Sequence, residues 1–313
     1  MKLSICYLAH RPYTIKFSDI LFNYLCKIKP EYKFQICVKI LFSGNHHLWQ
    51  RAAENLVSNG IETYLADFPF TVNYFDKVVL STQSDTKYCC KVDEDCWINN
   101  HLWEYIIDNL EILDDDKNVI LSPLLSNNVS CVEDFVEELG TTDEVNEIYN
   151  SFHSYKFIPL FGADYTPLNV VNNTTTSWNK NLFYGEVEKL NHYYKGIHPI
   201  KLQEESQIKV NNLAIKYYDK IKNKQNYKLE MKFVPYVNNT LCFIKTETWK
   251  KILSDRSLFK DVFDEVPINL YAHKNHMNYV FVKHGFGIHA FGNYIKNYES
   301  LQHEFCQKYT KLL

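Results

Sequence analysis

Three acids, Asp93-Glu94-Asp95, interrupt an otherwise apolar stretch that runs from Lys87 to Ile98 (KYCCKVDEDCWI). Two carboxylates separated by one residue can converge on a hard divalent cation, and the cation can in turn grip a diphosphate. Spacing alone carries little weight: with 37 acidic residues in 313, an acid-x-acid pattern arises by chance about four times. Position is the stronger signal. Tyr88 to Val92 reads as a buried strand, and a parallel α/β sheet places its ligands at the carboxyl ends of its strands. Asp114-Asp115-Asp116 is equally acidic, but it lies between the helical pattern Asn99 to Leu113 and the apolar Val119-Ile120-Leu121, and reads as a solvated turn. The competing structural role for Asp93 and Asp95 is to cap a helix N-terminus.

Other chemistry-bearing residues are dispersed. Asp264-Glu265 precedes a helical pattern with Pro267 in its first turn, where the helix dipole by itself favours carboxylates. His289 sits in Gly285-Phe-Gly-Ile-His-Ala-Phe-Gly292, among glycines that permit close backbone approach, with His284 as its rival. His198 lies in a Gly-Ile-His-Pro turn. Arg11 follows the first strand in Ala9-His-Arg-Pro12, and Asp67 follows the third. The chain has no G-x-G-x-x-G or Walker loop, which weighs against a dinucleotide-dependent dehydrogenase and a kinase. Its 12 histidines lack His-x-His or His-Glu-x-x-His spacing, which weighs against a metal hydrolase.

The elements that must position these groups are repeated βα units. Leu3 to Leu8 is a strand, Ile15 to Ile28 a helix stopped by Pro30, and Phe34 to Phe42 a strand. Leu48 to Ser58 is a helix closed by Asn59-Gly60, followed by a strand at Ile61 to Ala66 and a helix at Phe75 to Thr82. The strand Tyr88 to Val92 delivers the acids; His101 to Leu110 is then helical and Val119 to Leu121 a strand. From Val132 to Asn226 the chain is rich in Asn, Tyr and Lys, with turns such as Asn172 to Ser177. Order returns with a strand at Thr240 to Ile244, a capped helix at Thr246 to Leu253 and a strand at Tyr279 to Val282. No repeat or linker composition divides the chain, so one domain is expected over 1–313.

Composition bounds the function. The chain is 46% hydrophobic and 15% aromatic, with 23 Tyr and 20 Phe, enough for a substantial core. A net charge of −3 lacks the basic excess of a nonspecific polyanion binder. The lysines between Lys216 and Lys232 read as a solvated face. Nine cysteines, odd in number and without paired metal-ligand spacing, read as reduced thiols. No signal peptide and no apolar run near the ~18 residues that span a bilayer is present, so a cytoplasmic protein is expected, in the host cytoplasm if the chain is viral. The Asn-x-Ser/Thr matches at Asn128, Asn172, Asn173 and Asn238 are then incidental.

With the strand, the acid-x-acid motif and the following Trp97 and Trp103 in place, the chain resembles nucleotide-sugar-dependent glycosyltransferases of the A type (GT-A fold). The resemblance is strongest over 1–125. Leu121 to Leu125, Tyr194 to Pro199, Phe263 to Asn269 and Gly287 to Ala290 also look like segments of bacterial and viral members. It implies a Rossmann-like, mostly parallel central sheet flanked by helices, with a nucleotide-sugar-binding half (1–125) and a C-terminal acceptor-side elaboration (126–313). It implies Mn2+ (or Mg2+) on Asp93 and Asp95, completed by His289, whose imidazole suits manganese better than magnesium. Arg11, Asp67, Lys91, Asp93 and Glu94 would surround the nucleotide-diphosphate sugar, foremost a UDP-sugar. Asp264 or Glu265 would face the acceptor hydroxyl as a base. The acceptor expected is a glycan or another hydroxyl compound. Hydroxymethylated bases in DNA are an alternative, given a residue bias that suggests an AT-rich and viral genome, although the acidity argues against them. A non-catalytic sugar-binding module on the same scaffold is a further alternative.

Overall fold

The computed structural model describes residues 3–33, 35–44, 46–67, 86–128, 131–152, 159–161, 194–196, 204–232, 234, 237–255, 258, 265–290 and 297–313. The expected helix Phe75 to Thr82, the turn Asn172 to Ser177, His198 and Asp264 lie outside the described residues. The strands are β1 (Leu3–Ala9), β2 (Ile36–Phe42), β3 (Glu62–Asp67), β4 (Tyr88–Asp93), β5 (Cys96–Ile98), β6 (Asn118–Leu125), β7 (Pro159–Phe161), β8 (Tyr194–Gly196), β9 (Lys228–Lys232), β10 (Leu241–Lys245) and β11 (Asn278–His289). Among the described residues, nine of them form one sheet in the order β3-β2-β1-β4-β10-β6-β11-β5, with β9 also on β11, while β7 and β8 make a separate pair. β1 to β4, β6 and β11 share one direction; β5, β9 and β10 oppose it. The protein is therefore a mixed α/β fold with a large, mostly parallel central sheet flanked by helices. β10 and β11, from the C-terminal half, are woven into the sheet begun by the N-terminal half.

The central strands read as near-continuous apolar runs because both of their faces are covered. β2 and β6 are buried at every residue, whereas β3, at the sheet edge, alternates between exposed and half-buried positions. Helix α1 (Ile15–Lys27) buries Phe17, Leu21, Phe22 and Leu25 along one stripe and stops short of Pro30, the first residue of the single turn α2 (Pro30–Lys33). Helix α3 (His46–Ser58) starts two residues before the expected Leu48 and ends as the Asn-Gly signal requires. Gly60 takes φ 80°, Ile61 N donates to Leu56 O at 3.1 Å and Gly60 N to Val57 O at 2.9 Å, the two bonds of a Schellman cap.

Helix α4 (Asn100–Asp108) is capped by Asn99, whose side chain accepts from Leu102 N at 2.8 Å. The expected helix end at Leu110 is instead the start of a 3-10 turn, Leu110–Asp114. Then follow α5 (Val132–Leu139), α6 (Thr142–Phe152), α7 (Glu204–Lys216), α8 (Tyr218–Lys222), α9 (Thr246–Ser254), α10 (Glu265–Lys274) and α11 (Tyr298–Thr310). The expected cap of α9 is not a side chain: Thr246 N donates to the Lys87 carbonyl at 2.9 Å, which ties the helix to the start of β4.

β11 runs seven residues past the expected end at Val282. Its register on β6 shifts between Val282 and Phe286, where His284 has φ 60°, the mark of a bulge. A side chain is excluded beyond that point: a Cβ at Gly287 would lie 2.6 Å from both Ile98 Cγ2 and Leu125 Cδ2. This close approach lets β5 pair with β11, setting His289 opposite Cys96. All nine cysteines are free and eight are buried. No described helix is long and apolar enough to cross a membrane.

Candidate active site at the carboxyl ends of the central strands

β1 lies between β2 and β4, so the chain winds one way to β2 and β3 and the other way to β4. Such a reversal leaves a crevice outside the strands' carboxyl ends, where open α/β sheets bind ligands. Leu8 on β1 is in register with Asp93 on β4, which brings the loop His10-Arg11 beside the three acids.

Glu94 holds that loop. Its carboxylate accepts from His10 N, from Arg11 N at 2.5 Å, from Arg11 Nη1 at 3.0 Å and from the Thr14 hydroxyl at 3.2 Å, and Tyr7 donates to its carbonyl at 3.2 Å. Burial pushes the Glu94 carboxyl up to about 7, against the lowering effect of the two backbone N–H groups. These N–H groups open the segment leading through a 3-10 turn into α1. Glu94 thus ties down the loop that precedes the 3-10 turn, across 80 or more residues of chain, while α1 itself has Thr14 as its N-cap residue with no side-chain cap bond.

Asp93 and Asp95 take different partners. Asp93 Oδ1 lies 3.0 Å from Lys91 Nζ, which also donates to Asn239 Oδ1 at 3.1 Å; Asp93 is half-buried. Asp95 is buried, and burial raises its pKa. Its Oδ2 accepts from Gln302 Nε2 and lies 3.8 Å from His289 Nε2. Ligand atoms of Asp95, Cys96 and His289 all fall within 4.8 Å of one another. Burial, and then the neighbouring Asp95, push the Cys96 thiol well up.

The sequence folds to aim His289. Ser126 Oγ donates to His289 O at 2.9 Å and accepts from His289 N at 3.0 Å, and Asn127 Nδ2 donates to the same carbonyl at 2.8 Å. Asn128 Nδ2 donates to Asn238 O at 3.4 Å, the Thr240 hydroxyl lies within hydrogen-bond reach of both amide atoms (Nδ2 at 2.8 Å, Oδ1 at 3.0 Å), and Oδ1 is 3.0 Å from His289 Nδ1. The tautomer with its proton on Nδ1 donates to Asn128 Oδ1 and directs Nε2 at Asp95, the outer-shell arrangement that orients a metal-binding imidazole. Two acceptors facing one another at this distance need positive charge between them, either a proton or a cation. One carboxylate oxygen and one imidazole nitrogen fit Mn2+.

His284, the rival, lies elsewhere: its Nδ1 is 2.7 Å from Glu138 Oε2. Asp67 ends the edge strand β3 and is exposed. Glu265 is the first residue of α10. Asn128, Ser126 and Gln302 were not foreseen as site residues; the signal for the first two was their position just past the carboxyl end of β6.

No family model matches the chain, nor does any curated protein. Among solved structures it is similar to GalNAc-T7 in a crystal structure with UDP, GalNAc and Mn2+ (TM-score 0.46, 11% identity, 92% of this chain and 43% of that one). It is also similar to a 4-diphosphocytidyl-2C-methyl-D-erythritol synthase from Anaerococcus prevotii (TM-score 0.43, 8% identity, 99% and 96%). A third is S. aureus TarS in complex with UDP (TM-score 0.32, 14% identity, 69% and 55%). The chain thus spans less than half the length of the first of these proteins.

Proposed function

We propose that this protein is a metal-dependent glycosyltransferase that moves a sugar from a nucleotide-diphosphate donor, foremost a UDP-sugar, to an acceptor hydroxyl such as that of a glycan. The observation that carries the reading is the facing of Asp95 Oδ2 and His289 Nε2 at 3.8 Å, beside the crevice where the strand order reverses. Asp95 and His289 would hold Mn2+ or Mg2+, which when bound would neutralise charge on a departing diphosphate. Arg11 stands beside them. One of its guanidinium nitrogens is tied to Glu94, so the planar fork is fixed in place, and this side chain suits phosphate oxygens. Lys91 offsets the charge of Asp93, which leaves a carboxylate at the β4 end to accept from donor hydroxyls or to join the cation. Asp264 or Glu265 would accept the proton of the attacking hydroxyl.

The test is thermal unfolding with nucleotide sugars, with and without Mn2+. Ligands that bind the folded state raise its midpoint, so a UDP-sugar should raise it only when Mn2+ is present. Asp95→Ala should abolish that rise and the accompanying donor hydrolysis. Undiminished transfer by Asp95→Ala at saturating Mn2+ would sink the assignment.

A further inference from the structure

The C-terminal helix α11 brings a second polar group to the oxygen that faces His289. Gln302 is fully buried, and its carboxamide is engaged at both ends: Nε2 donates to Asp95 Oδ2, and Oε1 accepts from the Tyr13 hydroxyl at 3.0 Å. Asp95, His289 and Gln302 therefore meet around one carboxylate oxygen. We propose that Gln302 is the third protein group of the cation site and changes role with occupancy. Its N–H serves the bare carboxylate; after a half-turn of the carboxamide its Oε1 is a ligand of the bound cation. The inference rests on the reading of Asp95 and His289 as that cation's site.

The physical case turns on the two ends of one amide. A carboxamide presents an acceptor on one side and donors on the other, and its terminal torsion is broad and roughly two-fold, so a half-turn exchanges them without moving the main chain. At the far end the exchange costs nothing, because the Tyr13 hydroxyl can donate to Oε1 or accept from Nε2 equally well. At the near end the two orientations are far from equivalent. A bare buried carboxylate requires a donor, whereas a cation repels N–H and attracts the carbonyl oxygen. Occupancy therefore selects the orientation. The helix itself is well fixed: the Tyr13 ring packs on His303 at 4.8 Å, and Tyr309 on Trp97 at 5.6 Å and Phe17 at 6.4 Å. What turns is the amide rather than α11. Two oxygens and one imidazole nitrogen make a donor set suited to Mn2+.

The test is Mn2+ binding by the full chain, followed by loss of the free-ion EPR signal and by calorimetry, with no sugar transfer involved. Gln302→Leu, which keeps the volume and removes both polar atoms, should bind Mn2+ about 10- to 100-fold more weakly. Gln302→Glu keeps an oxygen, so Mn2+ should raise its unfolding midpoint by at least as much as that of the wild type. That variant decides the matter even if Gln302→Leu fails to fold. Wild-type or tighter Mn2+ binding by Gln302→Leu, or a smaller midpoint rise in Gln302→Glu, overturns the proposal and makes Gln302 a tether or a competitor. Asp95→Ala in the same titration separates the two readings. If it loses Mn2+ while Gln302→Leu does not, only the role of Gln302 falls. If neither variant loses Mn2+, the cation site itself falls.

Discussion

Three consecutive acids occur twice in this chain, and the fold treats them in opposite ways. Asp93-Glu94-Asp95 closes β4 inside the molecule, where burial raises the pKa of both Glu94 and Asp95. Asp114-Asp115-Asp116 closes a 3-10 turn at the surface. There a little burial raises Asp114, but the Lys87 ammonium and the Tyr88 hydroxyl outweigh it and hold the carboxyl below its ordinary value. Asp115 accepts from Lys117 N at 2.9 Å, as turn aspartates do, and Asp116 is 83% exposed, 3.5 Å from Lys245. The surface run is satisfied locally and by solvent. The buried run is satisfied by Lys91 of β4 for Asp93, by the β1 loop for Glu94 and by α11 for Asp95, so each of its carboxylates has a defined partner and a cost if that partner is lost.

The largest effect should come from the middle acid. Glu94→Ala removes the acceptor for two backbone N–H groups, a guanidinium and a hydroxyl, and should cost about 3 kcal/mol, read as the urea midpoint. Asp115→Ala should cost less than about 1 kcal/mol. An equal cost for the two would erase the contrast. Next comes Asp95→Asn, which should weaken Mn2+ binding on the order of 100-fold while leaving the unfolding midpoint unchanged or higher, because a carboxylate whose charged form is penalised by burial has been replaced by a neutral amide. Asp116→Asn should change neither. Gly287→Ala, which forces a Cβ against Ile98 and Leu125, should cost about 1 to 3 kcal/mol and weaken Mn2+ binding by disturbing the β5–β11 register that sets His289. Full Mn2+ affinity in this variant would show that the register does not matter to the site.

How much of this was legible depends on the range of the interaction concerned. β1, α1, β2 and α3 were readable because apolar runs, helical spacing, Pro30 and Asn59-Gly60 act within a few residues. β5 was not, since three residues make no period. β11 was read only to Val282 because the bulge at His284 breaks the alternation, and the strand resumes only through pairing with β6 and β5. Asp95 and His289 were visible by residue type and by placement after strands. Their partners were not. Asn128 reads in sequence as an Asn-Val-Ser glycosylation match, yet its buried side chain orients His289. Gln302 is one polar residue in an unremarked helical segment, 207 positions from Asp95. Nor does sequence spacing tell that Glu94 turns back to the β1 loop while its neighbours face elsewhere.

The smallest effect belongs to Asp114, and it tests whether the surface run is electrostatic in the way the buried one is not. A carboxyl whose folded pKa is depressed stabilises the fold above its unfolded value, here 3.8, and that contribution is lost as pH falls through the lower folded value. The side chain is 38% exposed and Lys87 is 47% exposed, so solvent screens the pair and the contribution should stay below about 1 kcal/mol. Wild type should therefore exceed Asp114→Asn slightly in unfolding midpoint near pH 7, the two should converge as the pH falls below 3.8 and through the lowered folded value, and about 1 M salt should narrow the gap at neutral pH. The deficit of Glu94→Ala should barely respond to salt, because its bonds are buried. If the Asp114→Asn difference survives both acid and salt, the Lys87 contact acts through packing of the lysine stem on Tyr88, 5.1 Å from the ammonium, and the electrostatic contrast between the two acidic runs is wrong.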